Sequence, residues 1–312
     1  MEAIRKILVA LDFTDADKNL FNYARYLAKV TDPESIHFVH VLKPEYAPED
    51  IEESYEEHIK KPLKEQLKDD LEKQILDEFH GDSDKYTVAI PKGQPFEEIL
   101  KYSRHEDIDL IIAGEKQEKE SSGIVPSKLA RKAACSILYV PDTKKEASIS
   151  NVLIPVDFSS YSDLALDFAQ ELAQKTNIDH YYLQHIYHTV PSYNLMKTYE
   201  QMRSAMEANV KEAYERYISK KHITIDDNKI KPLFTLNEKN NPAFHIHDEA
   251  RKHYCDLIIM GSKGQSNAAA MFVGSTTEKL LKLDKEIPVL ILKKKGENKT
   301  LLQALFSSKY NT

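Results

Sequence analysis

Asn151-Val152-Leu153-Ile154-Pro155-Val156-Asp157-Phe158 decides how this chain folds, because the chain carries the pattern twice. The earlier version is Lys6-Ile7-Leu8-Val9-Ala10-Leu11-Asp12-Phe13. Each is a short apolar run, rich in β-branched residues and closed by Asp-Phe. With no polar–apolar alternation, such a run reads as a strand buried on both faces. A helical pattern follows each. Tyr23, Ala24, Leu27 and Ala28 recur as Phe168, Ala169, Leu172 and Ala173, a spacing that lays one apolar stripe against a sheet. Further out, Asp109-Leu110-Ile111-Ile112-Ala113-Gly114 recurs as Asp256-Leu257-Ile258-Ile259-Met260-Gly261. Each half then closes on another apolar run, Ser136-Ile137-Leu138-Tyr139-Val140 and Pro288-Val289-Leu290-Ile291-Leu292. The repeat unit is about 145 residues, far beyond the period of a solenoid, so it is a domain duplication.

The spacing predicts strands near 5–11, 35–42, 84–90, 108–113 and 136–140, with helices near 15–30, 49–80, 95–106 and 123–134. In the second half it predicts strands near 151–156, 180–187, 229–236, 256–260 and 287–292, and helices near 160–175, 194–221, 242–254 and 274–284. Strands alternating with helices imply two tandem doubly wound α/β domains, each with five parallel strands and helices on both faces. The acid-rich stretch from Glu49 to Asp84 reads as a long solvated helix interrupted at Pro62. Asp142 to Ser150 is a short polar linker without glycine. Beyond Lys293 the chain turns Lys-rich and then polar, with Leu301, Leu302, Leu305 and Phe306 spaced for a short docking helix.

Composition narrows the function. The 312 residues are 41% hydrophobic and 30% charged, with a net charge of −7, an ordinary globular profile that argues against a general nucleic-acid binder. No apolar run approaches the ~18 residues of a membrane-spanning helix. The start, Met1-Glu2-Ala3-Ile4-Arg5-Lys6, has no apolar core of signal-peptide length, so a cytoplasmic protein is expected. Two cysteines, Cys135 and Cys255, cannot make a disulfide scaffold or a Cys-based zinc cluster. Residues 1–147 carry 31 acidic and 22 basic side chains, net −9; residues 148–312 carry 19 and 21, net +2. An anion site is therefore favoured in the second half.

Three of the eight glycines point there too. Met260-Gly261-Ser262-Lys263-Gly264 follows a predicted strand, and Gly274-Ser275-Thr276 opens the next predicted helix. Glycines allow close backbone approach and positive φ, and a helix start offers unpaired N–H groups and the positive end of a dipole to phosphate. Ser275 and Thr276 add hydroxyls and Lys263 a charge. Neither a Walker A loop nor Gly-x-Gly-x-x-Gly is present.

The spacing Gly-x2-Gly-x9-Gly-Ser resembles the ATP-binding motif of the universal stress protein family. Pro155-Val156-Asp157 resembles that family's first-strand end, Asp256 to Gly261 its fourth strand, and Glu286 to Leu290 the approach to its fifth. The resemblance runs over nearly the whole chain as two copies. It implies five-stranded parallel sheets in the order 3-2-1-4-5, with ligand at the switch in strand order. It further implies that Pro155, Val156 and Asp157 line the base end and that Met260 and Gly261 floor the crevice. Ser262, Lys263, Gly264, Gly274, Ser275 and Thr276 would surround the phosphates, and His185 or Ile186 would touch the base through backbone atoms. The expected domains are 1–142, degenerate; 149–294, with the ATP motif intact; and a polar tail, 295–312.

The first copy departs from the pattern. Gly114 persists, but Glu115-Lys116-Gln117-Glu118-Lys119-Glu120 follows, the second glycine is missing, Ile124 succeeds Gly123, and Ala10 stands in place of the proline. Three glutamates repel a triphosphate, so only the second copy is expected to bind ATP, with Mg²⁺. The implied protein is a nucleotide-binding regulator in the stress response. It would be an internal pseudo-dimer able to form a homodimer, with no nucleic-acid or membrane partner. The rival readings are a slow ATP hydrolase or phosphotransferase on the same site, and a nucleotide-free dimerising scaffold.

Other constellations read as structural. His245 and His247 are two apart on a helix and cannot share a face as metal ligands; they read as surface residues. His180 and His188 share one strand face and His185 takes the other, as core or rim residues. Both cysteines read as buried thiols.

Overall fold

The computed structural model describes residues 4–44, 61–79, 85–114, 124–143, 148–188, 199–264, 273–283 and 286–294, with the side chains of 124–127 and 199 set aside. The chain divides into two compact units, built on Glu2–Ala147 and Ser148–Leu292.

In the first unit the strands are β1 (Lys6–Leu11), β2 (Ser35–His40), β3 (Tyr86–Ala89), β4 (Leu110–Gly114) and β5 (Ser136–Val140). Its helices are α1 (Asp17–Thr31), α2 (Leu63–Glu78), α3 (Pro95–His105) and α4 (Ile124–Lys132). The strands pair in parallel in the order β3-β2-β1-β4-β5. The second unit repeats this with β6 (Asn151–Pro155), β7 (His180–Tyr187), β8 (Ile230–Leu236), β9 (Leu257–Gly261) and β10 (Val289–Leu292). Its helices are α5 (Ser160–Lys175), α6 (Tyr199–Ser219), α7 (Pro242–Lys252) and α8 (Ser275–Leu283). Its order is β8-β7-β6-β9-β10, also parallel. Each unit is thus the doubly wound α/β sheet expected, with strand order 3-2-1-4-5.

The twice-written run accounts for both cores. Ile7, Leu8 and Val9 and their counterparts Val152, Leu153 and Ile154 are all fully buried, as central parallel strands require. The helical stripes cover them: Ala24 and Leu27 in α1, Phe168, Ala169 and Leu172 in α5 are buried. The repeated Asp is a register device. Asp109 accepts the N–H groups of Arg5 and Lys6, each at 3.0 Å, and Asp256 accepts those of Ser150 and Asn151 at 2.9 and 3.1 Å. In each unit a carboxylate thereby ties the start of the first strand to that of the fourth, with charge-assisted bonds.

The helix expected over 49–80 is described over Leu63–Glu78, with Pro62 in the N-cap position. There the missing N–H of proline costs nothing. The part before Lys61 lies outside the described residues, as does the docking helix expected after residue 300. No described helix is long and apolar enough to cross a membrane.

Candidate functional site

The second unit opens a cleft where its strand order reverses, and a proline is the local cause. β6 stays in register with β7 through Pro155↔Gln184, but its ladder with β9 holds only Val152↔Leu257 and Leu153↔Ile258. Proline has no N–H to extend a ladder, so β6 and β9 part beyond Leu153. A cavity of about 290 Å³ lies beyond that point.

The chain turns sharply after the strand. Phe158 takes φ 63°, which frees Asp157 to be held from below. Its backbone N–H donates to Ser162 Oγ at 2.9 Å, and its Oδ1 accepts the Ser162 hydroxyl at 2.7 Å and the Ser159 N–H at 3.1 Å. Ser159 also caps α5, accepting from Tyr161 and Ser162 N–H groups. The opposite wall is the loop from β9. The Ser262 carbonyl accepts the Gly274 N–H at 2.6 Å, and the Gly274 carbonyl accepts the first helical bond of α8 from Glu278 at 3.0 Å. Gly274 therefore occupies the N-cap of α8, and the first-turn residues Ser275, Thr276 and Thr277 line the cleft; a helix start favours a negative ligand.

Of the sequence-predicted residues, Pro155, Val156, Asp157, Ile186, Met260, Gly261, Lys263, Gly264, Gly274, Ser275 and Thr276 all line this cleft. Ser262 does not. It is 2% exposed and spends its backbone on Leu292 and Gly274. His185 points to the other face of β7, where its Nδ1–H donates to the Val156 carbonyl at 2.8 Å and its ring stacks on Phe158 at 4.2 Å.

Sequence reasoning missed Ser162, Gln184, His188, Pro242, Ile246 and Thr277, which also line the cleft. His188 and Gln184 were reachable from Ile186 by the two-residue strand period. Pro242 and Ile246 come from α7 and had no local signal. The glycines depart from one half of the expectation. None of Gly261, Gly264 and Gly274 has positive φ. Two of them serve close approach: a Cβ on Gly261 would stand 2.5 Å from the Tyr161 Cβ, and one on Gly264 would stand 2.5 Å from Asp157 Oδ2, whereas one on Gly274 would meet nothing nearer than the Ser262 carbonyl oxygen at 3.5 Å.

Lys263 reaches over the Tyr161 ring, its Nζ 5.9 Å from the centroid. Burial lowers the pKa of His185, against the raising effects of its bond to Val156 and of Asp157. The two expected surface histidines, His245 and His247, are instead half-buried on α7, and burial lowers the pKa of His245. Both cysteines are buried; burial and Asp256 push the Cys255 thiol up to about 12, which makes it unreactive. Among the described residues no group of three His, Cys, Asp or Glu side chains could hold a metal ion.

The equivalent place in the first unit is built otherwise. The β1–β4 ladder continues through Ala10↔Ala113. Buried Asp17 stands where the second unit has Ser162, and its carboxylate accepts the Asp12 N–H at 3.2 Å and the Phe13 N–H at 2.7 Å. A Cβ on Gly114 would meet only the end of Leu20, at 3.4–3.8 Å. The expected glutamate run 115–120 and Gly123 lie outside the described residues.

The model of the Universal stress protein family matches residues 3–141 and again residues 148–293. The chain belongs to the universal stress protein family. Its two matches make it a tandem universal stress protein, as the resemblance implied. The crystal structure of a universal stress protein from Archaeoglobus fulgidus is similar over 95% of this chain and 98% of that one, with 19% identity and a TM-score of 0.61. A functionally unknown protein from Pseudomonas aeruginosa is similar over 98% of each chain, with 17% identity and a TM-score of 0.66. At such identities the likeness is one of fold. No curated protein matches the chain.

Proposed function

We propose that the second unit of this universal stress protein binds one adenine nucleotide, ATP with Mg²⁺, and that the first unit binds none. The observation that carries this reading is the convergence on one cleft of a strand end, a glycine-bounded loop with Lys263, and the N-terminus of α8 with Ser275, Thr276 and Thr277. Unpaired N–H groups, hydroxyls and a cation on one side suit phosphates. The apolar side chains of Val156, Ile186, Ile246 and Met260 on the other suit a base. Mg²⁺ would arrive as the counter-ion of the phosphates, not through a metal centre of the protein.

In the first unit, Asp17 fills the strand-end turn with a fixed negative charge, and the ladder closes the gap that Pro155 opens in the second. Asp157 is the carboxylate among the described lining residues, and Ser162 and the Ser159 N–H already engage it. The reading is therefore of a nucleotide held rather than turned over, in a cytoplasmic regulator of the stress response.

The test is mass spectrometry of the small molecules released when freshly purified protein is denatured. One adenine nucleotide per chain is expected. Two per chain would overturn the reading of the first unit. None, with no thermal stabilisation by ATP and Mg²⁺, would overturn the site.

A further inference from the structure

A histidine latches the first-strand end of each unit. In the second, His185 Nδ1 lies 2.8 Å from the Val156 carbonyl oxygen; in the first, His40 Nδ1 lies 3.1 Å from that of Leu11. A carbonyl only accepts, so each Nδ1 carries the hydrogen. Each ring also packs on the phenylalanine two residues beyond the carbonyl it serves. Phe158 lies nearly flat on His185, at 4.2 Å and 13°, and Phe13 meets His40 edge-on, at 4.6 Å and 63°. Both phenylalanines have positive φ. A bulky residue in that region is strained and persists only where its neighbours hold it.

The latch carries a different burden in each unit. In the first, the β1–β4 ladder runs on to Ala10↔Ala113, next to Leu11, and buried Asp17 accepts the N–H groups of Asp12 and Phe13. In the second, the β6–β9 ladder ends at Leu153↔Ile258. Beyond that point β7 holds the strand end: the Val156 N–H donates to the Gln184 carbonyl at 2.8 Å, and the Val156 carbonyl accepts from His185. Val156 and Asp157, on either side of that carbonyl, both line the cleft. The Phe158 ring also leans on Tyr217, at 5.1 Å and 47°, whose hydroxyl donates to Asp163 Oδ1 at 2.7 Å.

We propose that His185 is a positioning residue for the cleft: without touching the ligand, it fixes the Val156 carbonyl and the left-handed Phe158, and thereby sets where Asp157 stands. This rests on the nucleotide reading above and adds a residue behind the cleft wall to it. The imidazole supplies a side-chain donor where the neighbouring strand has parted, so the gap that makes room for a ligand does not leave its wall loose. A site whose lining is held by such supporting bonds binds in one geometry and loses affinity when the support is removed. The first unit keeps the same latch on a strand end that its ladder and Asp17 already secure, which makes it an internal control.

The test titrates ATP with Mg²⁺ calorimetrically into full-length wild type, His185→Leu, His185→Asn and His40→Leu, well below their melting temperatures, with ligand-free melts alongside. Leucine keeps the bulk and removes the donor; asparagine keeps an N–H where Nδ1 stood. His185→Leu is expected to weaken ATP about tenfold, the effect of one hydrogen bond. His185→Asn should restore affinity to within about twofold of wild type, and His40→Leu should leave it unchanged. A His185→Leu that melts earlier yet binds ATP like wild type makes the latch purely structural and overturns the proposal. So does a His185→Asn as weak as His185→Leu, or a His40→Leu that weakens ATP as much. If His185→Leu does not fold, Phe158→Gly decides: glycine accepts the left-handed backbone without strain and removes the ring that His185 holds. ATP should then bind several-fold more weakly, and unchanged affinity overturns the proposal. If wild type takes up no ATP, the nucleotide reading falls and this one with it; ATP binding that none of these variants moves sinks this one alone.

Discussion

The two strand-end crevices of this chain are built on the same frame and finished with opposite chemistry. Both have Asp-Phe after the first strand, with the phenylalanine in the left-handed region, φ 61° at Phe13 and 63° at Phe158. Both tie first and fourth strands with a carboxylate. They differ in three residues around the opening: Ala10, Asp17 and Val39 in the first unit, Pro155, Ser162 and Gln184 in the second. The first set closes a ladder, satisfies backbone N–H groups with an internal anion, and fills the core. The second interrupts the ladder, leaves room, and leaves the buried Gln184 Oε1 without a hydrogen-bond partner among the described residues. The comparison teaches that the apolar runs build the fold, while the site depends on residues the fold would do better without.

The most severe way to break the contrast is Ser162→Asp, which transplants the first unit's anion. The new carboxylate would stand beside Asp157, now 2.7 Å from the Ser162 hydroxyl. At an effective dielectric suited to a protein surface, such a pair repels by about 4 kcal/mol. Asp157 would be displaced and the cleft made more negative. We expect nucleotide affinity to fall by roughly a hundredfold or more, with the fold retained because Asp17 occupies the same place in the first unit. Calorimetric titration with ATP checks it; unchanged affinity would mean that Ser162 plays no part in the site.

Next in size is a matched pair, Gly261→Ala and Gly114→Ala. The first drives a Cβ to 2.5 Å from the Tyr161 Cβ and 2.9 Å from its carbonyl oxygen, a backbone collision that should cost about 1–3 kcal/mol. The second meets the flexible end of Leu20 and should fall within about 0.5 kcal/mol of wild type. Denaturant unfolding of both variants reads the difference directly, and equal losses would refute the asymmetry.

How much of this was legible beforehand follows from the same residues. Apolar runs and helical stripes are local, so α5 and β7 fall on the predicted 160–175 and 180–187. The glycine cluster is local too, and it pointed at a loop that lines the cleft. Its reason was not local. Gly261 is required by Tyr161, a hundred residues earlier in the chain, and no spacing rule encodes that contact. Asp17 sits where an acidic residue ordinarily suits a helix start, so its use as an internal anion for the preceding turn was masked by an ordinary pattern. Gln184 in a strand centre looks like a lapse in an apolar run until Thr235 and His245 are seen to hold it. Pro242 and Ile246 join the site only through the packing of α7.

A milder perturbation tests the opening itself. Pro155→Ala restores an N–H at the point where the β6–β9 ladder stops and copies the first unit's Ala10. One regained backbone bond is worth about 1 kcal/mol, so the gap should narrow, the unit should become slightly more stable, and ATP should bind several-fold more weakly. Thermal melts with and without ATP separate these effects. A variant that binds ATP as tightly as wild type would show that the proline does not hold the cleft open.

The smallest expected effect concerns pH, and its sign follows from burial. Burial lowers the pKa of His185 below the ordinary value of 6.5. The folded unit therefore keeps this ring neutral at a pH where the unfolded chain has already taken up a proton. Stability contributed by the neutral ring is complete above about pH 6.5 and is lost as pH falls below that value, levelling off once the folded-state ring protonates as well. His37 in the first unit and His245 in the second are lowered in the same direction, so acid should weaken both units. His185→Asn isolates one contribution, since an amide N–H can still donate to the Val156 carbonyl while nothing titrates. Between pH 6.5 and 5 its unfolding free energy should fall less steeply than that of wild type, by up to about one proton's worth of slope. Above pH 7 the two slopes should coincide. Parallel curves over the acid range would mean that His185 is protonated as readily folded as unfolded, and that its stack on Phe158 does not exclude the charge.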